Sequence, residues 1–212
     1  GQSFTSSEKI NLDCDCLAIA GGWTPAVHLF TQSGGKLKFR EKDQVFTPNE
    51  YPSEQISIGS CNGDSELDDI IKNSTKSLKE FLNIKETEFD NLEINCPKDN
   101  EIINIWWLPS DKVLGKTKPF VDYQNDATAK DIKLALKEGF RSIEHVKRYT
   151  TTGMGTDQGK LGNMHALGII AETAGVKMGE LGTTTFRPPY TPLTFGTIVG
   201  RNVGEYFDTF RR

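Results

Sequence analysis

The sequence predicts an α/β chain in which part of an α/β layer is followed by a small all-α domain. We place the layer at residues 1–82, an irregular strand-and-linker stretch at 83–118, the helical domain at 119–178 and a Pro-rich connector at 179–212. Three observations carry the prediction. Two short apolar runs each lead through glycines into a helical pattern. The stretches 128–145 and 163–174 keep helical periodicity, the first divided at Gly139 and the second ending at Gly175. Between Gly182 and Pro192 the density of proline excludes regular helix.

In chain order, Cys14-Asp15-Cys16-Leu17-Ala18-Ile19-Ala20 reads as a buried strand that ends at Gly21-Gly22. Thr24 before Pro25 is a good N-cap with proline at the first helical position, so a helix is expected over 26–32, stopping at Gly34-Gly35. Lys36-Leu37-Lys38-Phe39 alternates like an edge strand. Gln55-Ile56-Ser57-Ile58 is a further short strand, leading into Gly59-Ser60-Cys61-Asn62-Gly63-Asp64. Leu67, Ile70, Ile71, Ser74 and Leu78 then recur at helical spacing. Between 83 and 118 the alternation Ile102-Ile103-Asn104-Ile105-Trp106-Trp107 predicts a strand or two within a linker. A helix is expected from Thr128, with Asp131 completing a capping box. Its apolar side is Ile132, Ala135, Leu136, Ile143 and Val146, and Gly139 divides it in two. A last helix spans 163–174 and ends at Gly175. No internal repeat is found.

A chain of 212 residues is long enough to bury a core. A net charge of −4 speaks against a nucleic-acid partner, whose footprint is basic. No apolar run approaches the roughly 18 residues of a membrane span, and the first residues show no signal-peptide core. A cytoplasmic protein without a membrane partner is expected. Cys14-x-Cys16 has no second close Cys or His pair, so the cysteines read as packing residues and no metal site is expected. His28, His145 and His165 are scattered and read as packing or solvated residues. No catalytic nucleophile or acid–base pair is visible.

The two strand–glycine–helix units resemble the end of a dinucleotide-binding, Rossmann-like FAD/NAD(P) domain. There, unpaired N–H groups and the helix dipole face an anion. A G-x-G-x-x-G fingerprint, which carries phosphate binding in that fold, does not occur here, so only the distal part of such a site is expected. In the tail, Thr183-Thr184-Thr185-Phe186-Arg187-Pro188-Pro189-Tyr190 sets hydroxyls, aromatics and an arginine suited to phosphate or carboxylate capture on an extended backbone. A plain strap over the helical domain is the alternative.

Phe120-Val121-Asp122-Tyr123-Gln124-Asn125-Asp126-Ala127-Thr128 opens the helical domain. Lys147-Arg148-Tyr149-Thr150-Thr151-Thr152-Gly153-Met154-Gly155-Thr156-Asp157-Gln158-Gly159-Lys160 closes its middle part. Together they resemble the small helical 2Fe–2S domain of the bacterioferritin-associated ferredoxin type. Asp122, Gln124, Asp157 and Gly162 stand where that domain has its four cysteines. Clusters need thiolates, so no iron–sulfur cluster is expected.

Taken with Cys16-Leu17-Ala18-Ile19-Ala20-Gly21-Gly22-Trp23-Thr24-Pro25, Arg141-Ser142-Ile143-Glu144-His145-Val146-Lys147-Arg148 and the Pro-rich connector, these segments resemble the alpha subunit of heterotetrameric sarcosine oxidase. The resemblance implies that the chain is a central segment of such a subunit, without catalytic turnover of its own. It implies a complex that oxidatively demethylates sarcosine to glycine at an FAD in the beta subunit and passes the one-carbon unit to tetrahydrofolate. It also implies NAD bound by the alpha subunit, FMN at the boundary between subunits, and the beta and other subunits as partners. By position, Gly59, Cys61, Asn62, Gly63 and Leu67 are the candidates for distal NAD contacts. Thr184, Thr185 and Arg187 are those for the FMN or subunit boundary. A subunit of a proline- or hydroxyproline-type dehydrogenase complex and a non-enzymatic docking module are the alternatives.

Overall fold

The computed structural model describes residues 11–18, 22–52, 54–90, 92, 94, 104–107 and 116–207. Helix α1 (His28–Gln32) precedes an antiparallel hairpin of β1 (Lys36–Arg40) and β2 (Val45–Glu50). A 3-10 turn (Gly59–Asn62) leads to α2 (Leu67–Leu82). A second antiparallel pair, β3 (Phe120–Asp122) and β4 (Ala127–Thr128), opens the helical domain. Helices α3 (Ala129–Lys137), α4 (Ile143–Thr150), α5 (Asn163–Ala174) and α6 (Met178–Leu181) complete it. After an extended run, α7 (Phe195–Val199) and a kinked 3-10 segment (Arg201–Phe207) follow.

The helical domain forms for the reasons its sequence contains. Thr128 Oγ1 accepts from the Asp131 N–H while the Asp131 carboxylate accepts from the Thr128 N–H, so two otherwise orphaned donors are satisfied at the start of α3. Gly139 takes φ +100°, which ends α3 and allows the chain to re-enter α4. Ile132, Ala135, Leu136, Ile143 and Val146 are all buried, as their spacing requires. Helix α5 is apolar nearly all round and supplies the centre of the core with Ala166, Leu167, Ile169 and Ile170. A Cβ at Gly168 would lie 2.1 Å from the Trp106 ring, so glycine is what lets that indole pack against the helix. Phe46 reaches the same core from the hairpin, and Phe39 packs beside Gly179.

The first 82 residues depart from the sequence expectation. Residues 11–18 are exposed and form no strand; 19–21, the end of the expected strand, lie outside the described residues. The physical reason is the lack of a ladder: among the described residues nothing pairs with this run, and an isolated strand leaves its N–H and C=O groups to water. Cys14 and Cys16 are accordingly exposed, not packed. Residues 55–58 are likewise unpaired. Helix α1 begins at His28 with Val27 as a cap that makes no side-chain bond, so Thr24 does not cap it. Strand β2 carries Pro48, a residue that argues against a strand interior, and its pairing is visible only in the fold. Among the described residues every strand pair is antiparallel. Helix α2 has the predicted amphipathic spacing, yet none of its residues is buried.

Most of the expected strand and linker at 83–118, including Ile102 and Ile103, lies outside the described residues. The described part, 104–107, is a bend. It docks on the helical domain through Trp107, whose Nε1–H donates to Glu172 Oε2 at 3.2 Å and whose ring lies 3.9 Å beneath Lys133 Nζ.

Candidate functional site

The loop between α4 and α5 joins Asp122, Gln124 and Asp157 into one hydrogen-bonded knot. Asp122 is buried, and its Oδ1 accepts from the N–H groups of Gln124 (2.8 Å) and Asn125 (3.1 Å). Its Oδ2 accepts from the N–H of Gly153 at 2.7 Å across the loop. Gln124 Oε1 accepts from the Asp157 N–H at 3.3 Å, and Asp157 Oδ1 from the Gly159 N–H at 2.9 Å. Burial pushes the Asp122 carboxyl upward, but the N–H groups of Gly153, Asn125 and Gln124 and the Asn125 side chain outweigh it and hold the pKa below the usual carboxylate value.

Gly162 ends the same loop, and a Cβ there would stand 2.4 Å from the Val121 carbonyl oxygen. Gly162→Ala is therefore expected to push β3 off the start of α5 and to cost about 1–3 kcal/mol, read as a lowered urea midpoint. An unchanged midpoint would show that this contact yields freely. The same clash would meet a cysteine, and none of these four residues supplies a thiolate, so this knot does not fit an iron–sulfur cluster. Among the described residues no group of three or more His, Cys, Asp or Glu is arranged to hold a metal.

The same loop clasps the connector. Gln158 donates from Nε2 to the carbonyl oxygens of Arg187 (2.8 Å) and Pro189 (3.0 Å), and its Oε1 accepts from the Arg187 N–H at 2.9 Å. One side chain thus imitates the edge of a strand. Asn163 Nδ2 donates to Thr184 Oγ1 at 3.0 Å, and the Thr185 N–H donates to Glu144 Oε1 at 2.9 Å. Lys160 Nζ donates to the Tyr190 carbonyl and lies 4.1 Å over the Tyr190 ring. Of the three connector candidates, Thr184 is buried and engaged, and Thr185 is tied through its backbone. The exposed Arg187 has no carboxylate partner for its guanidinium among the described residues.

A cavity of about 40 Å³ lies between the start of α1, the α5 N-terminus and the connector, and Thr24, His28, Lys160, Asn163, Leu167 and Phe186 contribute to its wall. His28 is buried, and neither ring nitrogen has a hydrogen-bond partner among the described residues. Its ring centroid is 3.8 Å from that of Phe186 and 5.3 Å from that of Tyr190. Burial first and the Lys160 charge second lower its pKa to about 4. The packing reading of His28 holds.

The candidates for the nucleotide lie elsewhere. Gly59 opens the 3-10 turn and Gly63 follows it, both with positive φ, Cys61 Sγ donates to the Ile58 carbonyl, and Leu67 opens α2 half exposed. Arg40 donates to the Gly63 carbonyl and pairs with Asp43. Asp68 and Asp69 occupy the first turn of α2, so the dipole there already faces carboxylates. No hydrogen bond or ion pair among the described residues joins this group to 184–187. Gln158, Asn163, Lys160 and Glu144, which position the connector, were not singled out as site residues from the sequence. Gln158 and Lys160 did lie in the motif that marked the domain.

Comparison with known proteins bears on the whole chain. The sarcosine oxidase A3 domain family matches residues 116–201. The chain is 36% identical over 209 residues to the sarcosine oxidase subunit alpha of Rhizobium meliloti (strain 1021), covering 93% of this chain and 20% of that one. It is 34% identical over 220 residues to the sarcosine oxidase subunit alpha of Corynebacterium sp. (strain P-1), covering 100% of this chain and 22% of that one. The chain thus spans about a fifth of the length of these curated relatives. A crystal structure of L-proline dehydrogenase from P. horikoshii shares its fold with a TM-score of 0.59 at 21% identity, over 82% of this chain and 37% of that chain. With a domain-family match from 116 to 201 and relatives aligned along nearly its full length, the chain belongs to the sarcosine oxidase alpha-subunit family, as a segment of that subunit.

Proposed function

We propose that this chain is the scaffold and cofactor-boundary segment of an oxidoreductase complex that oxidatively demethylates sarcosine to glycine and transfers the one-carbon unit to tetrahydrofolate. The observation that carries the reading is the similarity to sarcosine oxidase alpha subunits over more than nine-tenths of the chain. In that complex the beta subunit with its FAD is the site of oxidation, and this segment acts by holding cofactors and neighbours. We further read residues 1–82 as the distal part of a Rossmann-like nucleotide domain and 119–178 as a ferredoxin-like domain whose cluster has been replaced by the Asp122 knot.

Arg187 is the residue we assign to the FMN or beta-subunit boundary. Its backbone is held on both sides by Gln158, while its guanidinium faces outward with no carboxylate partner among the described residues. A fixed backbone reduces the entropy lost when a flexible side chain captures an anion. Thr184 and Thr185 contribute by fixing the strap, Thr184 through its hydroxyl and Thr185 through its backbone N–H. FMN, when bound, supplies the route for electrons out of the complex. For NAD, the turn of Gly59, Cys61, Asn62 and Gly63 together with Leu67 offers backbone contacts only, because the acidic first turn of α2 disfavours a pyrophosphate at the helix start.

Co-expression of this chain, within its full subunit, with the beta subunit tests the proposal. We expect a co-purifying complex with a flavin spectrum, activity on sarcosine in preference to proline, and no iron. Arg187→Ala is expected to lower flavin retention or complex yield several-fold. Equal flavin content and assembly in that variant would remove the Arg187 assignment, and a preference for proline would move the chain to the dehydrogenase reading.

A further inference from the structure

The buried His28 ring lies beneath the connector that carries Thr184, Thr185 and Arg187, and its surroundings give it a role of its own. Phe186 and Tyr190 of the connector cover one side of the ring, and the wall of the adjoining cavity supplies the rest. The charged group facing it is Lys160, an ammonium, and none of the residues lining the cavity carries a carboxylate. Neither ring nitrogen meets an acceptor among the described residues. A proton added to this ring would create a buried cation beside another cation, with nothing to accept its hydrogen bonds. The structure can relieve this by lifting the segment that seals the ring.

We propose that His28 is an acid-sensitive latch for the connector: protonation of its ring releases residues 183–190 from the helical domain. The bonds that would open with it are those of Gln158 to Arg187 and Pro189, of Asn163 to Thr184, and of Lys160 to the Tyr190 carbonyl. The other titratable groups at the strap are Glu144 of α4, which accepts from the Thr185 N–H, and the strap's own exposed Arg187 guanidinium and Tyr190 phenol. None of these is sealed beneath the connector as His28 is. The direction follows from linkage. With its native pKa lowered from 6.5 to about 4, the ring binds a proton more readily when the strap is open, so opening grows as pH falls through that interval.

Amide hydrogen exchange on the full chain, normalised to intrinsic rates at each pH, tests the latch. The Arg187 amide, which donates to Gln158 Oε1, is the reporter. Its protection is expected to fall by up to about tenfold per pH unit between 6.5 and about 4, while the amide of Ile170 in the core stays protected. His28→Phe keeps an aromatic ring under Phe186 but cannot take up a proton, and should abolish the pH dependence. Glu144→Gln should retain it. An equal fall in His28→Phe, or loss of the effect in Glu144→Gln, overturns the latch. Should His28→Phe fail to fold, the His28 Cε1–H titration in the unaltered chain decides. A midpoint that coincides with loss of Arg187 protection upholds the latch, and a ring that titrates while Arg187 stays protected refutes it.

Discussion

Asp122→Ala is expected to lower the unfolding free energy by about 3 kcal/mol and to loosen the loop between α4 and α5. The carboxylate accepts three backbone N–H bonds and one from the Asn125 side chain. Removing it strands the Gly153 donor in a buried position, where an unsatisfied N–H costs about 1–3 kcal/mol. The Gln124 and Asn125 donors lie nearer water and recover part of theirs. Asp122→Asn keeps one acceptor oxygen and should cost less. The same geometry fixes a pH dependence. Because the native carboxyl titrates below its ordinary value of 3.8, its contribution is complete above that value and is lost as pH falls through the lower native pKa. Urea unfolding of the two variants at neutral pH and near pH 3 measures both effects. A loss below about 1 kcal/mol for the alanine variant would mean that water replaces the carboxylate and that the knot is not a stabilising feature.

Leu167→Ala is expected to cost about 4 kcal/mol, toward the upper part of the range for buried leucine. Leu167 is 1% exposed at the centre of α5 and also borders the cavity beside His28. Deleting its side chain merges new space with an existing void. The walls are held by the Gln158 and Asn163 bonds and cannot close over it cheaply. Leu167→Met, which nearly conserves volume, should cost less than about 1.5 kcal/mol. Chemical denaturation with an unchanged slope is the measurement. Nearly equal losses for the two variants would show that the site collapses and that the cavity has no bearing on the core.

The helical domain was legible in the sequence because its signals are local. A capping box at Thr128 and Asp131, a positive-φ glycine at 139 and another at 175 each act within one turn of the residue that carries them. The apolar spacing of α3, α4 and α5 could be counted directly. The first 82 residues were legible only in part. The hairpin edge at Lys36–Arg40 and the amphipathic α2 form, yet the runs at 14–18 and 55–58 form no strands among the described residues. A strand is a property of a pair, and an apolar pattern does not say whether the partner is present.

The candidate site divides along the same line. Read alone, the sequence places helices α2 to α5, excludes a cysteine at positions 122, 124, 157 and 162, and shows which family those motifs resemble. All of these depend on residue identity and on spacing along the chain. What Asp122, Gln124 and Asp157 bond to, and which connector residue remains available, emerges only once the chain is packed. Asp122 meets the Gly153 amide 31 residues away, and Gln158 meets Arg187 across 29. Bonds over such distances form only once helix packing has brought the two loops together. Their partners are backbone groups that every residue carries, so no local pattern announces them.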